Sequence, residues 1–117
     1  MDLPPHSQKY KLVIFVPTTH ADVVREAMSK AGAGKIGAYT SCSFSSRGTG
    51  RFLPQKGADP TIGEVGELEA VEEERIEMLC EKELLPQVAE AIKKVHPYEQ
   101  VILDVNEIMA VELFQTA

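Results

Sequence analysis

The residues with the clearest capacity for chemistry lie in the segment His96-Pro97-Tyr98-Glu99, near the end of the chain. Imidazole and carboxylate groups bind transition metals, so His96, Glu99 and Glu77 form a candidate site for a divalent ion of the copper or zinc class. A structural alternative stays open, because a histidine at the C-terminal end of a helix interacts with the negative end of the helix dipole. The sequence contains no Cys-x-x-Cys and no His-x-x-x-His, so spacing does not decide between the two.

A second segment combines glycine with arginine, since Arg47 and Arg51 flank Gly48-Thr49-Gly50. Successive backbone N–H groups in a turn can hold an anion, so Arg47, Gly48, Gly50 and Arg51 are candidate ligand-binding residues. The segment lacks the Lys-Ser/Thr ending of a Walker motif and is not followed at once by a helix. A hairpin or loop without a ligand is the simpler interpretation.

The two cysteines differ in their surroundings. Cys80 shares one face of a predicted strand with Ile76 and Met78 and is interpreted as a core residue. Cys42 lies among serines and is a candidate reactive thiol or metal ligand, but a nucleophile needs a base within hydrogen-bond reach, which the sequence does not show. We therefore predict no catalytic residue and no enzymatic activity of this chain. The candidate ligand-binding residues are Cys42, Arg47, Gly48, Gly50, Arg51 and Tyr98.

The bulk composition indicates one small globular domain. The chain has 117 residues, of which 44% are hydrophobic and 26% charged, and its formal net charge is -6. This negative charge disfavours a nucleic-acid partner, and no apolar segment reaches the roughly 20 residues that span a bilayer. The acidic run from Glu64 to Glu77 is interpreted as a solvated face. Residues 1–9 form a flexible leader without the features of a signal peptide, which predicts a cytoplasmic protein with reduced thiols.

One strand–helix unit occurs twice along the chain. The segment from Tyr10 to Val16 is rich in β-branched and aromatic residues and predicts a strand, followed by a helix that ends at Gly32. The pattern recurs 64 positions later, with a strand from Arg75 to Cys80 and a second helix. The helix positions in register include Val24 with Val88 and Met28 with Ile92. This match favours a duplicated unit.

The remaining extended segments complete the order strand-helix-strand-strand-helix-strand. Residues 39–44 and 51–53 follow the first helix, and a half-buried strand with Val101, Leu103 and Val105 on one face follows the second. This order predicts an α+β, ferredoxin-like βαββαβ sandwich, in which an antiparallel sheet carries two helices on one face.

The first strand is apolar on both of its faces. Leu12, Ile14 and Val16 alternate with Val13 and Phe15, whereas an antiparallel sheet with one wet face should alternate apolar with polar residues. Something apolar should therefore cover the second face, and the simplest cover is another copy of the chain. The pattern predicts a homo-oligomer.

A series of small motifs stands in an order that resembles a known domain. The motifs are Gly32-Ala33-Gly34-Lys35-Ile36-Gly37-Ala38-Tyr39, Cys42-Ser43-Phe44-Ser45, Gly48-Thr49-Gly50, Phe52, Pro54, Gly57-Ala58, Pro60, Ile62-Gly63, Glu74-Arg75-Ile76-Glu77 and His96-Pro97-Tyr98-Glu99. Together they resemble the YqfO-type domain, which is inserted in some bacterial members of the Nif-three-like dinuclear-metal family and also occurs free-standing. The resemblance covers about residues 10–106.

The resemblance implies a ferredoxin-like fold akin to the CutA and PII trimers. The dinuclear metal ligands of the larger proteins lie outside the inserted domain, so their metal centre and any hydrolase activity are not carried over. Residues 107–117 extend beyond the resemblance and are expected to pack on a neighbouring subunit. The expected domain is thus 10–106, between a leader and a C-terminal extension.

These observations predict an oligomeric CutA/PII-like binding or regulatory module whose ligand the sequence does not name. A trimer with ligand sites in the clefts between subunits is expected, and a regulatory partner protein is a further candidate partner. Two alternatives remain. One is a metal-binding protein that uses His96 and nearby carboxylates, and the other is a purely structural assembly scaffold.

Overall fold

The computed structural model describes residues 6–111 and 113. Four strands and two α-helices, each helix preceded by a 3-10 turn, make up the fold. In chain order they are β1 (His6–Pro17), the turn Thr18–His20, α1 (Ala21–Lys30), β2 (Phe44–Phe52), β3 (Glu69–Cys80), the turn Lys82–Leu84, α2 (Leu85–Val95) and β4 (Asp104–Val111). Neither helix is long and apolar enough to cross a membrane.

The strands form one antiparallel sheet in the order β2-β3-β1-β4. In the central pair, Leu12 lies opposite Met78 and Ile14 lies opposite Ile76. The two strand–helix units thus meet through their first strands, and the sheet carries both helices. The predicted α+β ferredoxin-like fold is confirmed.

The core lies between the sheet and the helices. Every second residue from Leu12 to Val16 and from Ile76 to Cys80, and one stripe of each helix, are at most 3% exposed. The core residues include Leu12, Ile14, Val16, Val24, Met28, Ile76, Met78, Cys80, Val88 and Ile92. Each large side chain buried in this way contributes roughly 1.5–3 kcal/mol to folding, so this layer supplies most of the stability. Cys80 lies in it, as predicted.

The predicted duplication extends to the helix boundaries. α1 begins at Ala21 and α2 begins 64 positions later at Leu85. α1 ends at Lys30, and the predicted terminating glycine, Gly32, follows its C-cap residue with a φ of 112° that few other residues adopt. The Ala33 N–H donates to Met28 O at 3.0 Å and the Gly32 N–H to Ser29 O at 3.0 Å, the hydrogen-bond pair of a Schellman motif.

Several strand boundaries differ from the prediction, among them the start of β3, which lies at Glu69 and not at Arg75. β1 begins at His6 instead of Tyr10, because the polar residues 6–9 pair through their backbone with β4. β4 runs from Asp104 to Val111, so residues 107–111, predicted as an extension, belong to the sheet and residues 101–103 do not. The remaining tail is described only at Leu113. Backbone pairing needs no apolar side chain, which is why hydrophobic alternation did not reveal these boundaries.

The largest difference concerns β2. Residues 44–52 form one continuous edge strand paired with β3, whereas the sequence predicted two short extended segments with a hairpin or loop at Gly48-Thr49-Gly50. Glycine and serine are depleted in strands, so propensity argued against the strand. Pairing along the edge of β3 overrides this preference.

The sheet face opposite the helices, here called the outer face, is mixed in character. Val13 is buried, but Phe15 is 48% exposed and Phe44 is 67% exposed. A cluster of three charged residues lies on the same face, where Glu77 contacts Lys11 at 3.6 Å and Arg75 at 3.5 Å. The outer face therefore leaves large aromatic side chains open to solvent in the single chain.

Candidate functional site

A groove of about 700 Å³ lies at the end of the sheet where β1 and β2 finish and β3 begins. One wall is the connection between β2 and β3, residues 53–68, and the other is the segment between α2 and β4, residues 96–103. The residues that give the groove its chemical character are Phe15, Phe52, Glu73, Tyr98, Glu99 and Ile102. The groove combines aromatic side chains with a small number of charged groups, as ligand sites do.

Glu73 forms part of the groove lining and is the most unusual residue there, because it is an acidic residue only 8% exposed. Its neighbour Glu74 points to the helix layer, where Arg25 Nη1 contacts Glu74 Oε1 at 2.9 Å. Since successive residues of a strand face opposite sides, Glu73 points to the outer face. The expectation that the whole acidic run is solvated is therefore wrong at Glu73.

Gly50 makes room for this carboxylate. A Cβ atom built on Gly50 would lie only 1.8 Å from Glu73 Oε1, which is an impossible contact. Any other residue at position 50 would force the Glu73 side chain to move. Gly48 lies directly opposite Glu73 in the strand pairing, yet a Cβ there would meet no atom within 4 Å. The requirement for glycine is thus specific to position 50.

Tyr98 provides the hydrogen bond that holds Glu73. The Tyr98 O–H donates to Glu73 Oε2 at 2.7 Å, and the Tyr98 ring packs edge-on against Phe52 with centroids 5.7 Å apart. Burial, together with the bond to Glu73, raises the pKa of the Tyr98 hydroxyl. The phenol therefore stays protonated and remains a donor at neutral pH.

His96 positions Tyr98. It follows α2 directly and is 8% exposed. Its Nε2 lies 2.8 Å from Phe15 O, and a carbonyl can only accept, so Nε2–H is the donor. Nδ1 then accepts the backbone N–H of Tyr98 at 3.2 Å. Burial lowers the pKa of His96, which keeps the ring neutral and consistent with this tautomer.

Glu99 ties the two walls of the groove together. Its Oε1 accepts the backbone N–H of Asp59 at 3.0 Å. The wall formed by residues 53–68 is also tied to itself, since the Gly66 N–H donates to Pro54 O at 2.8 Å. Behind Tyr98 a second cavity of about 470 Å³ lies against α2, lined among others by Ile14, Ile92 and Leu103. Residues 98–101 separate the two spaces.

The structure brings together only part of the predicted ligand-binding set. Gly50, Arg51 and Tyr98 line the groove. Arg47 and Gly48 lie earlier on β2 and do not line it. Cys42 precedes the other end of β2 and donates its backbone N–H to Gly34 O at 2.8 Å.

The predicted anion cradle is not formed in the single chain. Gly48-Thr49-Gly50 is extended strand, with Gly48 opposite Glu73 and Thr49 opposite Glu72. Thr49 Oγ1 donates to Glu72 Oε1 at 3.3 Å. A strand lacks the concave row of N–H groups that such a site needs, and the facing carboxylates would repel an anion.

One chain does not assemble the predicted metal ligands either. Both nitrogens of His96 are engaged with the backbone, Glu99 accepts from Asp59, and Glu77 lies on the outer face with Lys11 and Arg75. Within residues 6–111 and 113, no three His, Cys, Asp or Glu side chains are grouped to hold a metal ion.

Sequence reasoning missed Phe15, Phe52 and Glu73 as groove residues. The one signal available for Glu73 was its strand parity, because it alternates with Glu72 and Glu74 and must point away from them. Its burial depends on Tyr98 and Gly50, which are distant in sequence, so no local pattern marks it.

Comparison with known proteins places the chain among relatives that are much longer. No protein-family model matches it. It is 52% identical over 95 residues to a GTP cyclohydrolase 1 type 2 homolog of Halalkalibacterium halodurans, covering 81% of this chain and 26% of that protein. A similar match to the homologous protein of Bacillus subtilis shows 50% identity over 95 residues. The chain thus spans about a quarter of these curated relatives.

Solved structures agree with both the relationship and the fold. A Bacillus cereus protein related to NIF3 superposes with a TM-score of 0.75 at 45% identity, covering 92% of this chain and 27% of that one. CutA from Archaeoglobus fulgidus superposes with a TM-score of 0.60 at 16% identity, covering 87% and 84% of the two chains. The latter shows the fold alone. The chain is therefore related over most of its length to one CutA/PII-like segment of NIF3-related proteins.

Proposed function

We propose that this protein is a self-associating, non-catalytic module that binds a small ligand in the groove at the end of its sheet. The observation that carries the proposal is the Glu73–Tyr98 pair. A buried carboxylate costs free energy unless something compensates it, and here Gly50, Tyr98 and His96 are all arranged around one. Buried polar groups arranged around an open groove are typical of a binding site.

Self-association would involve both the groove and the outer face, because the two surfaces share residues. Phe15 and Glu73 both belong to the outer face and both line the groove. A second copy that covers Phe15 and Phe44 would therefore also cover one side of the groove. The resemblance to the CutA and PII trimers supports three copies, with a ligand site in each cleft between subunits.

The strand edges supply a second route to assembly. β2 and β4 are the two edges of the sheet, and exposed edges are templates for pairing with another chain. Beyond the pair Tyr10–Cys80, β1 continues with β4 alone among the described residues. This two-stranded arm carries Met109 and Val111, which are exposed in the single chain.

The proposal assigns no reaction to this chain. The name GTP cyclohydrolase 1 type 2 homolog belongs to much longer proteins, of which the chain covers 26%. That name therefore assigns no activity to the quarter of those proteins that this chain matches. The proposed role is binding or regulation in the cytoplasm, acting through a ligand and, where one exists, a partner protein.

The metal hypothesis stays a prediction of the sequence and requires residues from two copies. Replacing His96 with Ala should then abolish stoichiometric metal in the purified oligomer, as measured by elemental analysis. Metal retained at the same stoichiometry would contradict it. No contact within the described residues favours this function over the groove.

Two measurements test the proposed function together. Analytical ultracentrifugation should show a trimer, and a thermal-shift panel of small metabolites should raise the melting temperature, since a ligand of the folded state stabilises it. Gly50→Ala should lose the shift, whereas the matched variant Gly48→Ala should keep it. A trimer that no compound stabilises would instead favour a structural scaffold, and a monomer would contradict the assembly.

A further inference from the structure

We propose that the ligand of this groove is a small organic cation, a molecule with a protonated amine or guanidinium group that lies against Glu73. This inference rests on the proposed function, because it names the ligand class of the same groove. It is supported by three features of the Glu73 carboxylate: its charge, the aromatic residues around it and the oxygen that accepts no hydrogen bond.

The charge of Glu73 is the first feature that points to a cationic ligand. Glu73 is 8% exposed, and the one hydrogen bond that reaches its carboxylate from the described side chains is the neutral Tyr98 hydroxyl. The nearest basic residue on β3, Arg75, contacts Glu77 instead. Buried carboxylates are ordinarily matched by a positive charge and by donors to both oxygens. Among the described residues, no basic side chain lies within ion-pair distance of the Glu73 carboxylate and no side chain donates to Oε1.

The access of a ligand to Glu73 Oε1 is the second feature. Oε1 is the atom that a Cβ on Gly50 would strike, so this oxygen points towards β2 where Gly50 itself lines the groove. Oε1 fills the space that a side chain at position 50 would take. Every fully buried side-chain oxygen of the described residues has a hydrogen-bond partner, so Oε1, which has none, stays accessible from the groove. A ligand N–H group entering the groove would meet Oε1 there.

The aromatic lining of the groove is the third feature. Phe15, Phe52 and Tyr98 all line the same groove as Glu73. An ammonium or guanidinium group within about 6 Å of an aromatic ring face is attracted by the ring's quadrupole. A carboxylate surrounded by aromatic rings therefore selects a cationic group over a neutral polar one.

The basic residues of the groove narrow the class further. Arg51 and Lys56 line it and are exposed, so they would repel a ligand with positive charge throughout. Either side chain suits a carboxylate elsewhere on the same ligand. A zwitterion with a cationic side chain, such as a basic amino acid, carries both charges.

The test compares matched probes that differ only in charge. The probes are the Nα-acetyl forms of L-arginine and L-citrulline, called arginine and citrulline below, because acetylation removes the charge of the α-amine. They have nearly the same shape and both keep the carboxylate, but citrulline carries a neutral urea in place of the guanidinium. Backbone amide shifts of the 15N-labelled protein are followed during titration with each. We expect arginine to shift the amides of Gly50, Glu73 and Tyr98, with citrulline binding at least tenfold more weakly.

Glu73→Gln isolates the charge, because glutamine keeps the shape and an acceptor for Tyr98. The variant should bind arginine at least tenfold more weakly, while Gly48→Ala should bind as the unaltered protein does. Equal binding of arginine and citrulline, or unchanged binding by Glu73→Gln, would overturn the charge class and leave a groove ligand standing. No amide shift with either probe would also overturn it, and the thermal-shift panel would then decide the proposed function separately.

Discussion

The Tyr98 O–H lies 2.7 Å from Glu73 Oε2 and joins the segment after α2 to the first half of β3. Because Glu73 is buried, this bond satisfies an acceptor that water does not fully reach. It also fixes the Tyr98 ring against Phe52 on the opposite side of the groove. Together with the hydrogen bond between Asp59 and Glu99, this contact between residues distant in sequence holds the shape of the groove.

Removing that donor tests its contribution to stability. Tyr98→Phe keeps the ring but leaves the buried carboxylate oxygen without its partner, which should lower the free energy of unfolding by about 1–3 kcal/mol. Urea denaturation of the variant measures this. Tyr39→Phe is the matched control, because Tyr39 is exposed, and it should change stability by less than about 0.5 kcal/mol. Equal effects of the two substitutions would show that the bond contributes nothing specific.

The contrast between two glycines tests the close approach at Glu73. Gly50→Ala places a methyl group where Glu73 Oε1 now lies, so the side chain must leave its bond with Tyr98, at a cost of about 1–3 kcal/mol. Gly48→Ala adds the same group on the same strand in open space and should cost less than about 0.5 kcal/mol. Denaturation midpoints of both variants measure the difference. Matching midpoints would mean that Glu73 is not packed against Gly50 in solution.

The buried neutral His96 predicts a pH dependence of stability. Its pKa in the folded state is lowered from 6.5, mainly by burial, so the unfolded chain binds the proton more readily. The stability that the lowered pKa of His96 contributes is fully present above about pH 6.5 and is lost as the pH falls through the folded-state pKa.

Replacing the imidazole isolates that dependence. His96→Gln removes the titrating group, so its stability should fall less steeply than that of the unaltered protein as the pH drops below about 6.5. Urea denaturation between pH 5 and pH 8 measures both slopes, and carboxylate titration common to the two proteins cancels in the comparison. Parallel slopes would contradict a buried neutral histidine.

Phe44 tests the role of the outer face in assembly. It is 67% exposed in the single chain, and burying a phenylalanine contributes roughly 1.5–3 kcal/mol, so Phe44→Ser should weaken association at least tenfold. Sedimentation equilibrium measures the dissociation constant. Val23→Ser is the control, because Val23 is an exposed apolar residue on α1. An unchanged dissociation constant for Phe44→Ser would move the interface away from this face.

The sequence predicted the parts of this molecule that hydrophobic periodicity determines. β1 from Tyr10, β3 from Arg75 and the two helices follow from apolar residues at strand and helix spacing, and Gly32 terminates α1 with a positive φ. The order of these elements was enough for the fold class. Here local preference and tertiary packing agree.

The parts that were missed depend on tertiary pairing. β2 is held by its partner β3 despite a composition of glycine and serine. Glu73 is buried because Tyr98 bonds it and Gly50 leaves space for it. Tyr98 was predicted as a ligand residue and does line the groove. Its partners could not be predicted, because no local pattern links positions 50, 73 and 98.

The most direct test of the central claim is native mass spectrometry of the protein purified without chelator, beside Gly50→Ala and Gly48→Ala. The account predicts a trimer with a reproducible extra mass for the unaltered protein and for Gly48→Ala, and a trimer without that mass for Gly50→Ala. A monomer, or an extra mass that Gly50→Ala retains in full, would contradict a ligand site at Glu73 in a self-associating module.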